Sequence, residues 1–154
     1  MLNILVICTG NSCRSIIGEA VFNHLGQGRI SAYSAGSHPK GRINPEALDL
    51  LQRHDINTTG LTSKSWDSLS THAFNIVITV CDRAQQESCP SYLSKAIKIH
   101  WPTLEPSHVA GGDKERHAAF EATYKIFAQR IEHLLALSLD PINPETLSAL
   151  SAIE

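Results

Sequence analysis

The most constraining feature of this chain is its opening, where an apolar run rich in Ile and Val (residues 2–8) passes directly into Cys8-Thr9-Gly10-Asn11-Ser12-Cys13-Arg14-Ser15 and then into helical periodicity. A short apolar run of this kind is what a central parallel strand covered on both faces requires. From Ser15 onward Ile16, Ala20, Val21, His24 and Leu25 fall on or near one helical face, and Gly26 and Gly28 end the pattern. Strand, tight loop and helix follow one another without a linker. A cysteine and an arginine, with five residues between them, bracket the turn.

That placement makes an anion cradle. Successive backbone N–H groups can point inward at a tetrahedral ligand, the helix N-terminus adds positive potential, and the Arg14 guanidinium can clamp two oxygens. The same field favours thiolate at Cys8, the form that acts as a nucleophile. Ser15 is placed to donate a hydrogen bond to that sulfur, Asn11 to brace the loop through its amide, and Gly10 to permit an otherwise strained turn. Cys13 lies inside the loop with no step assigned to it and reads as a packing residue. The bland alternative, a core cysteine beside a solvated arginine, leaves the joint placement after a strand and before a helix unexplained.

Further along, residues 30–35 form a second strand, and Asn44-Pro45 supplies an N-cap and first-turn proline for a helix to about His54. Residues 74–80 and 96–100 read as the third and fourth strands. Residues 113–139 form a long amphipathic helix with Phe120, Tyr124, Phe127, Ile131 and Leu134 or Leu135 on its apolar stripe. This order predicts an α/β, three-layer domain with a four-stranded parallel sheet flanked by helices and right-handed crossovers. One domain is expected over 1–139, and 140–154 form a C-terminal tail with a short helix over 144–150.

The chain's 154 residues suffice for a sizeable core, and a composition 42% hydrophobic and 18% charged excludes general disorder. A net charge of −2 excludes nucleic acid as a bulk partner, so any anion site is local. No run approaches the roughly 18 apolar residues of a membrane span. The N-terminal segment has no basic leader or small-residue cleavage site and reads as a strand. A reducing cytoplasm is the expected location, where cysteines serve catalysis or redox chemistry rather than structural disulfides, with an inert buried thiol as the alternative for any one of the four. Cys81 ends the third strand and so shares the carboxyl edge of the sheet with Cys8. Cys89 lies eight residues on, across a polar stretch that can form one or two helical turns or an open loop. A zinc site of Cys81, Cys89, His100 and His108 is the rival reading, but no Cys-x-x-Cys or His-x-x-x-His pairing supports it, and no metal is expected.

Cys8 to Ser15, placed directly after the first strand, is similar to the signature of the low-molecular-weight tyrosine phosphatases and of the arsenate reductases that share their fold. The similarity continues through Ala32-Tyr33-Ser34-Ala35-Gly36-Ser37, Ser63-Lys64-Ser65-Trp66, Thr79-Val80-Cys81-Asp82, Cys89-Pro90 and His100-Trp101-Pro102, and runs to about Leu137. The resemblance implies an oxyanion held by Thr9, Gly10, Asn11, Ser12, Cys13, Arg14 and Ser15, and reduction of arsenate to arsenite. It further implies a thiol-arsenate adduct on Cys8, then a Cys8–Cys81 disulfide, then a Cys81–Cys89 disulfide reduced by thioredoxin. Glutathione with glutaredoxin is the other donor, and no tightly bound cofactor is expected.

The family pattern also places an Asp-Pro after the fourth strand as general acid; Glu105-Pro106 stands there, with Asp113 as fallback. Some related reductases hold a potassium ion with an asparagine, a glutamate, a serine and an aspartate. Asn11, Glu19 and Ser34 match the first three, while Lys64 stands near the aspartate's place. Its ammonium is expected to neutralise Glu19, with no potassium requirement. Ser107 and His108 replace the tyrosines that grip an aromatic substrate in the phosphatases, which favours a small inorganic oxyanion. A phosphomonoester hydrolase and a thiol-based arsenite or metal sensor are the alternatives. No long exposed apolar stripe demands a partner, so a monomer is expected.

Overall fold

In a computed structural model describing residues 1–137 and Glu145, the apolar opening run is the centre of a four-stranded sheet. β1 (Leu2–Ile7) pairs in parallel with β2 (Ile30–Ala35) on one side and β3 (Ile76–Thr79) on the other, and β4 (Ile97–His100) pairs in parallel with β3. Ile4, Leu5, Val6 and Ile7 have no solvent exposure. Both faces of β1 are covered, which is why its sequence shows no polar alternation.

The helices are α1 (Arg14–Leu25), α2 (Pro45–Arg53), α3 (Asp82–Gln86) and α4 (Asp113–Ala136), with single 3₁₀ turns at Trp66–Leu69, Ser91–Leu93 and Pro106–His108. α1 is packed on several sides. Ile16, Ala20 and Val21 are buried as expected, and Ile17 and Phe22 are buried with them, whereas His24 is exposed. A Cβ at Gly18 would stand 3.1 Å from both Val6 of the sheet and Phe127 of α4, so the absent side chain brings three layers together here. Phe22 stacks on Trp101, just after β4, at 5.9 Å. α2 starts as its sequence requires, Asn44 Oδ1 accepting from Glu46 N at 2.8 Å.

Several boundaries differ from the sequence expectation. β3 begins at Ile76 rather than at residue 74, because the Asn75 side chain and backbone both bond to Asn3. β4 begins at Ile97, one residue after Ala96. The polar stretch after Cys81, which the sequence leaves open between helical turns and a loop, folds as α3, a helix of five residues. α4 ends at Ala136, and the helix expected over 144–150 lies outside the described residues apart from Glu145. Along α4, Phe120, Phe127, Ile131 and Leu134 are buried, while Tyr124 is half-buried and stacks on His54 at 3.8 Å. Arg130 is buried too. Its guanidinium lies over Trp101 and reaches Pro102 O, a long-range role that periodicity alone does not reveal. Among the described residues no helix is long and apolar enough to cross a membrane.

Candidate active site

Because all four strands run the same way, their carboxyl ends open onto one edge, the usual place for a site in an α/β sheet. Cys8 follows β1, Ser37 and His38 follow β2, Cys81 follows β3, and Glu105 lies beyond β4. The loop from Cys8 to Cys13 is held from outside. His38 N donates to Thr9 O at 3.0 Å, Lys40 N to Gly10 O at 2.9 Å, and Asn44 N to Ser12 O at 2.8 Å. With those carbonyls committed outward, the loop amides are left to face the concavity. Gly36 closes the approach from β2, since a Cβ there would stand 2.4 Å from Thr9 O.

Asn11 sits in the left-handed region at φ 43° and organises the loop from beneath. Its Nδ2 donates to Ser15 Oγ at 2.8 Å and Ser34 Oγ at 3.0 Å, and its Oδ1 accepts from Lys64 N at 2.9 Å. With a lone pair facing Asn11, Ser15 turns its proton to Cys8 Sγ at 2.8 Å, and Ser34 donates to Glu19 Oε1 at 2.6 Å. Lys64 Nζ lies 3.6 Å from the same Glu19 oxygen and donates to Thr62 O. A largely buried chain of hydrogen bonds therefore joins Cys8 to the Glu19 carboxylate, which is in turn ion-paired with Lys64.

A cavity of about 410 Å³ is lined by Cys8, Cys13, Arg14, Cys81 and Glu105, with His38, Lys40, Arg83 and His108 adding basic groups. Arg14 Nη1 donates to Thr103 O at 2.9 Å, and Nε lies 3.0 Å from Glu105 Oε2. That oxygen sits off the N–H direction, so the attraction is between charges rather than an aligned hydrogen bond. Burial pushes the Glu105 carboxyl up, but two hydrogen bonds from Ser107, the Arg14 charge and a bond from Cys13 outweigh it and hold it below the ordinary range. Cys13 moves the other way. Burial, the Glu105 charge and its bond to Glu105 push its thiol far up, which keeps the proton on sulfur.

Cys81 is buried at the cavity wall as the N-cap of α3, its sulfur accepting from Ala84 N at 3.4 Å and lying 3.6 Å from Thr9 Oγ1. Cys89 is half-buried beyond α3 and does not line the cavity. Burial chiefly pushes its thiol up, Glu87 adds to this, and Lys98 opposes it. All four cysteines are free.

Residues 3–145 match the low molecular weight phosphotyrosine protein phosphatase family. The chain belongs to that family. An arsenate reductase of Bacillus licheniformis is 32% identical over 130 residues, covering 84% of this chain and 91% of the relative. Among solved structures, the thioredoxin-dependent arsenate reductase of Corynebacterium glutamicum matches with a TM-score of 0.66 at 26% identity, over 88% of this chain and 61% of that one. The low molecular weight protein tyrosine phosphatase of T. tengcongensis shares the fold, with a TM-score of 0.73 at 20% identity over 88% and 99%.

Within this phosphatase family frame, Cys8, Cys13, Arg14, Cys81 and Glu105 meet at one cavity, with Thr9, Gly10 and Ser12 on its lining and Asn11 and Ser15 beneath it. Cys89 stands apart. Asp113, the fallback acid, opens α4, pairs with Arg116 and does not line the cavity. The zinc quartet is not assembled, since His100 is engaged by Thr79 and Asp82, and among the described residues no group of three or more His, Cys, Asp or Glu can hold a metal ion. Sequence reasoning missed Ser37, His38, Lys40, Arg83 and Glu87. Only their charge or hydroxyl pointed to them, and the contacts that matter span the sequence.

Proposed function

We propose that this chain reduces arsenate to arsenite, with Cys8 as nucleophile and Cys81 and Cys89 as a disulfide relay. The observation that carries this reading is that Cys81, a second free thiol, shares one cationic cavity with Cys8 and Arg14. The arsenate reductases among its relatives act on that oxyanion, and one is thioredoxin-dependent. The Cys8 thiolate attacks arsenic, and an oxygen leaves as water with a proton from Glu105. Cys81 thiolate then attacks Cys8 Sγ. The sulfur–arsenic bond breaks, its electron pair stays with arsenic, and arsenite leaves as the Cys8–Cys81 disulfide forms. Cys89 thiolate displaces Cys8 from Cys81, which requires the 82–89 segment to rearrange because Cys89 starts outside the cavity.

The outer Cys81–Cys89 disulfide is then open to reduction by thioredoxin, or by glutathione with glutaredoxin, in a reducing cytoplasm. Arsenate-dependent turnover, with each donor supplied separately to the wild type and to each Cys→Ser variant, tests the scheme. Loss of turnover in Cys8→Ser, Cys81→Ser and Cys89→Ser is expected with thioredoxin; full activity of Cys81→Ser would overturn it. Phosphomonoester hydrolysis is the second reading, favoured by the Cys8, Arg14 and Glu105 constellation, which needs no further thiol. Cys81→Ser separates the two because it leaves hydrolysis untouched.

A further inference from the structure

One side chain ties the relay segment to the anion loop and has no part in the chemistry above. Glu87, two residues before Cys89, accepts from Ser37 Oγ at 2.7 and 2.6 Å and from Thr9 Oγ1 at 3.3 Å, and lies 3.5 Å from His38 Nδ1. Ser37 and His38 follow β2 and Thr9 follows the nucleophile, so a single half-buried carboxylate bridges three parts of the site. Thr9 has one hydroxyl proton. A carboxylate can only accept, so that proton belongs to Glu87, and Cys81 Sγ, 3.6 Å away, faces the hydroxyl lone pairs. The segment's other long side chains, Asp82, Arg83, Gln85 and Gln86, are exposed.

We propose that Glu87 is a positioning residue that clasps the 82–89 segment onto the anion loop while Cys8 is reduced, and must let go before Cys89 reaches Cys81. The inference rests on the relay proposed above. In the first exchange, a clasped segment holds the attacking Cys81 sulfur beside Cys8. Once the Cys8–Cys81 bond exists, it tethers the segment covalently and the clasp is redundant. In the second exchange, Cys89 thiolate forms a bond to Cys81, the Cys8–Cys81 bond breaks, Cys8 leaves as thiolate, and the Cys89 proton goes to solvent. Here the clasp opposes movement. Removing it therefore acts on the two exchanges in opposite directions, which general loss of stability does not do.

The test uses amide hydrogen exchange and rapid thiol trapping on full-length wild type, Glu87→Ala, Ser37→Ala and the double variant. In reduced protein without arsenate, exchange over 82–89 should quicken about tenfold in each single variant, no further in the double variant, and remain unchanged elsewhere. In single turnovers, Glu87→Ala should slow Cys8–Cys81 formation, measured in the Cys89→Ser background, and quicken its conversion to Cys81–Cys89. Unchanged exchange over 82–89 in both single variants, additive effects, or slowing of both exchanges overturns the proposal. A wild type that forms no Cys8–Cys81 disulfide with arsenate removes the relay instead, and the hydrogen-exchange result still decides whether the clasp exists.

Discussion

At the scale of single residues, Glu105, the carboxylate proposed to protonate the leaving oxygen, also lies against Arg14, the guanidinium proposed to bind the oxyanion. Ser107 and Arg14 hold the Glu105 carboxyl below its ordinary range, so the proposed acid role requires an anion first to take over Arg14 and raise the carboxyl's proton affinity. Glu105→Gln should therefore do two things at once. Turnover should fall by about a hundredfold or more, and phosphate, a non-reducible oxyanion, should bind several times more tightly because Arg14 is freed. The ion pair is what leads the second effect to be expected. Steady-state kinetics and calorimetry with phosphate measure both, and weakened phosphate binding would count against the competition. Lys64 gives a second case. With its ammonium 3.6 Å from Glu19, wild-type turnover should respond equally to potassium and sodium chloride. Lys64→Met should lose activity severalfold and regain part of it in potassium, since it leaves a mostly buried carboxylate without a cation. A wild type activated by potassium over sodium would refute this role.

At the scale of elements, the second thiol exchange of the proposed relay is expected to be limited by chemistry that the segment itself sets. Burial raises the Cys89 thiol, and a group with a raised pKa holds less thiolate at any given pH below it. The conversion of Cys8–Cys81 to Cys81–Cys89 should thus accelerate as pH rises, by nearly tenfold per unit below the Cys89 value. Lys98→Met removes the one influence that lowers this pKa, so it should slow the exchange near neutrality. Stopped thiol trapping between about pH 6.5 and 9 reads the slope, and a flat profile would place the limit in segment motion instead. The elements that were legible in the sequence are those specified locally. β1, the loop after it and the Asn44-capped α2 each carry their own signal within a few residues. The start of β3 was not legible, because Asn75 bonds to Asn3 across 72 positions. Glu87 was missed for the same reason, its partners Ser37 and Thr9 lying 50 and 78 residues away.

At the scale of the whole molecule, the cavity is built by segments from both halves of the chain, so oxyanion binding should be felt by the entire fold. Arg14 opens α1 and reaches the loop after β4, where Thr103 O accepts from it, and α4 supports that loop through Arg130 at Pro102 O. Phe22 of α1 stacks on Trp101 at the head of the same loop. A ligand that grips Arg14 and the loop amides therefore joins β1, α1, β4 and α4, and it binds the native state alone. Phosphate at about 100 times its Kd should stabilise by roughly 2.7 kcal/mol, which for a domain of this size corresponds to a rise in Tm of about 5–10 °C in one cooperative transition. Cys8→Ser should keep most of that rise, because the thiol contributes reactivity more than the backbone cradle contributes binding. Arg14→Ala should lose it. Scanning calorimetry with and without phosphate separates the outcomes: a rise confined to one of two separate transitions would mean that the loop after β4 melts independently of the β1 cradle, and the site would then be assembled by the ligand rather than by the fold.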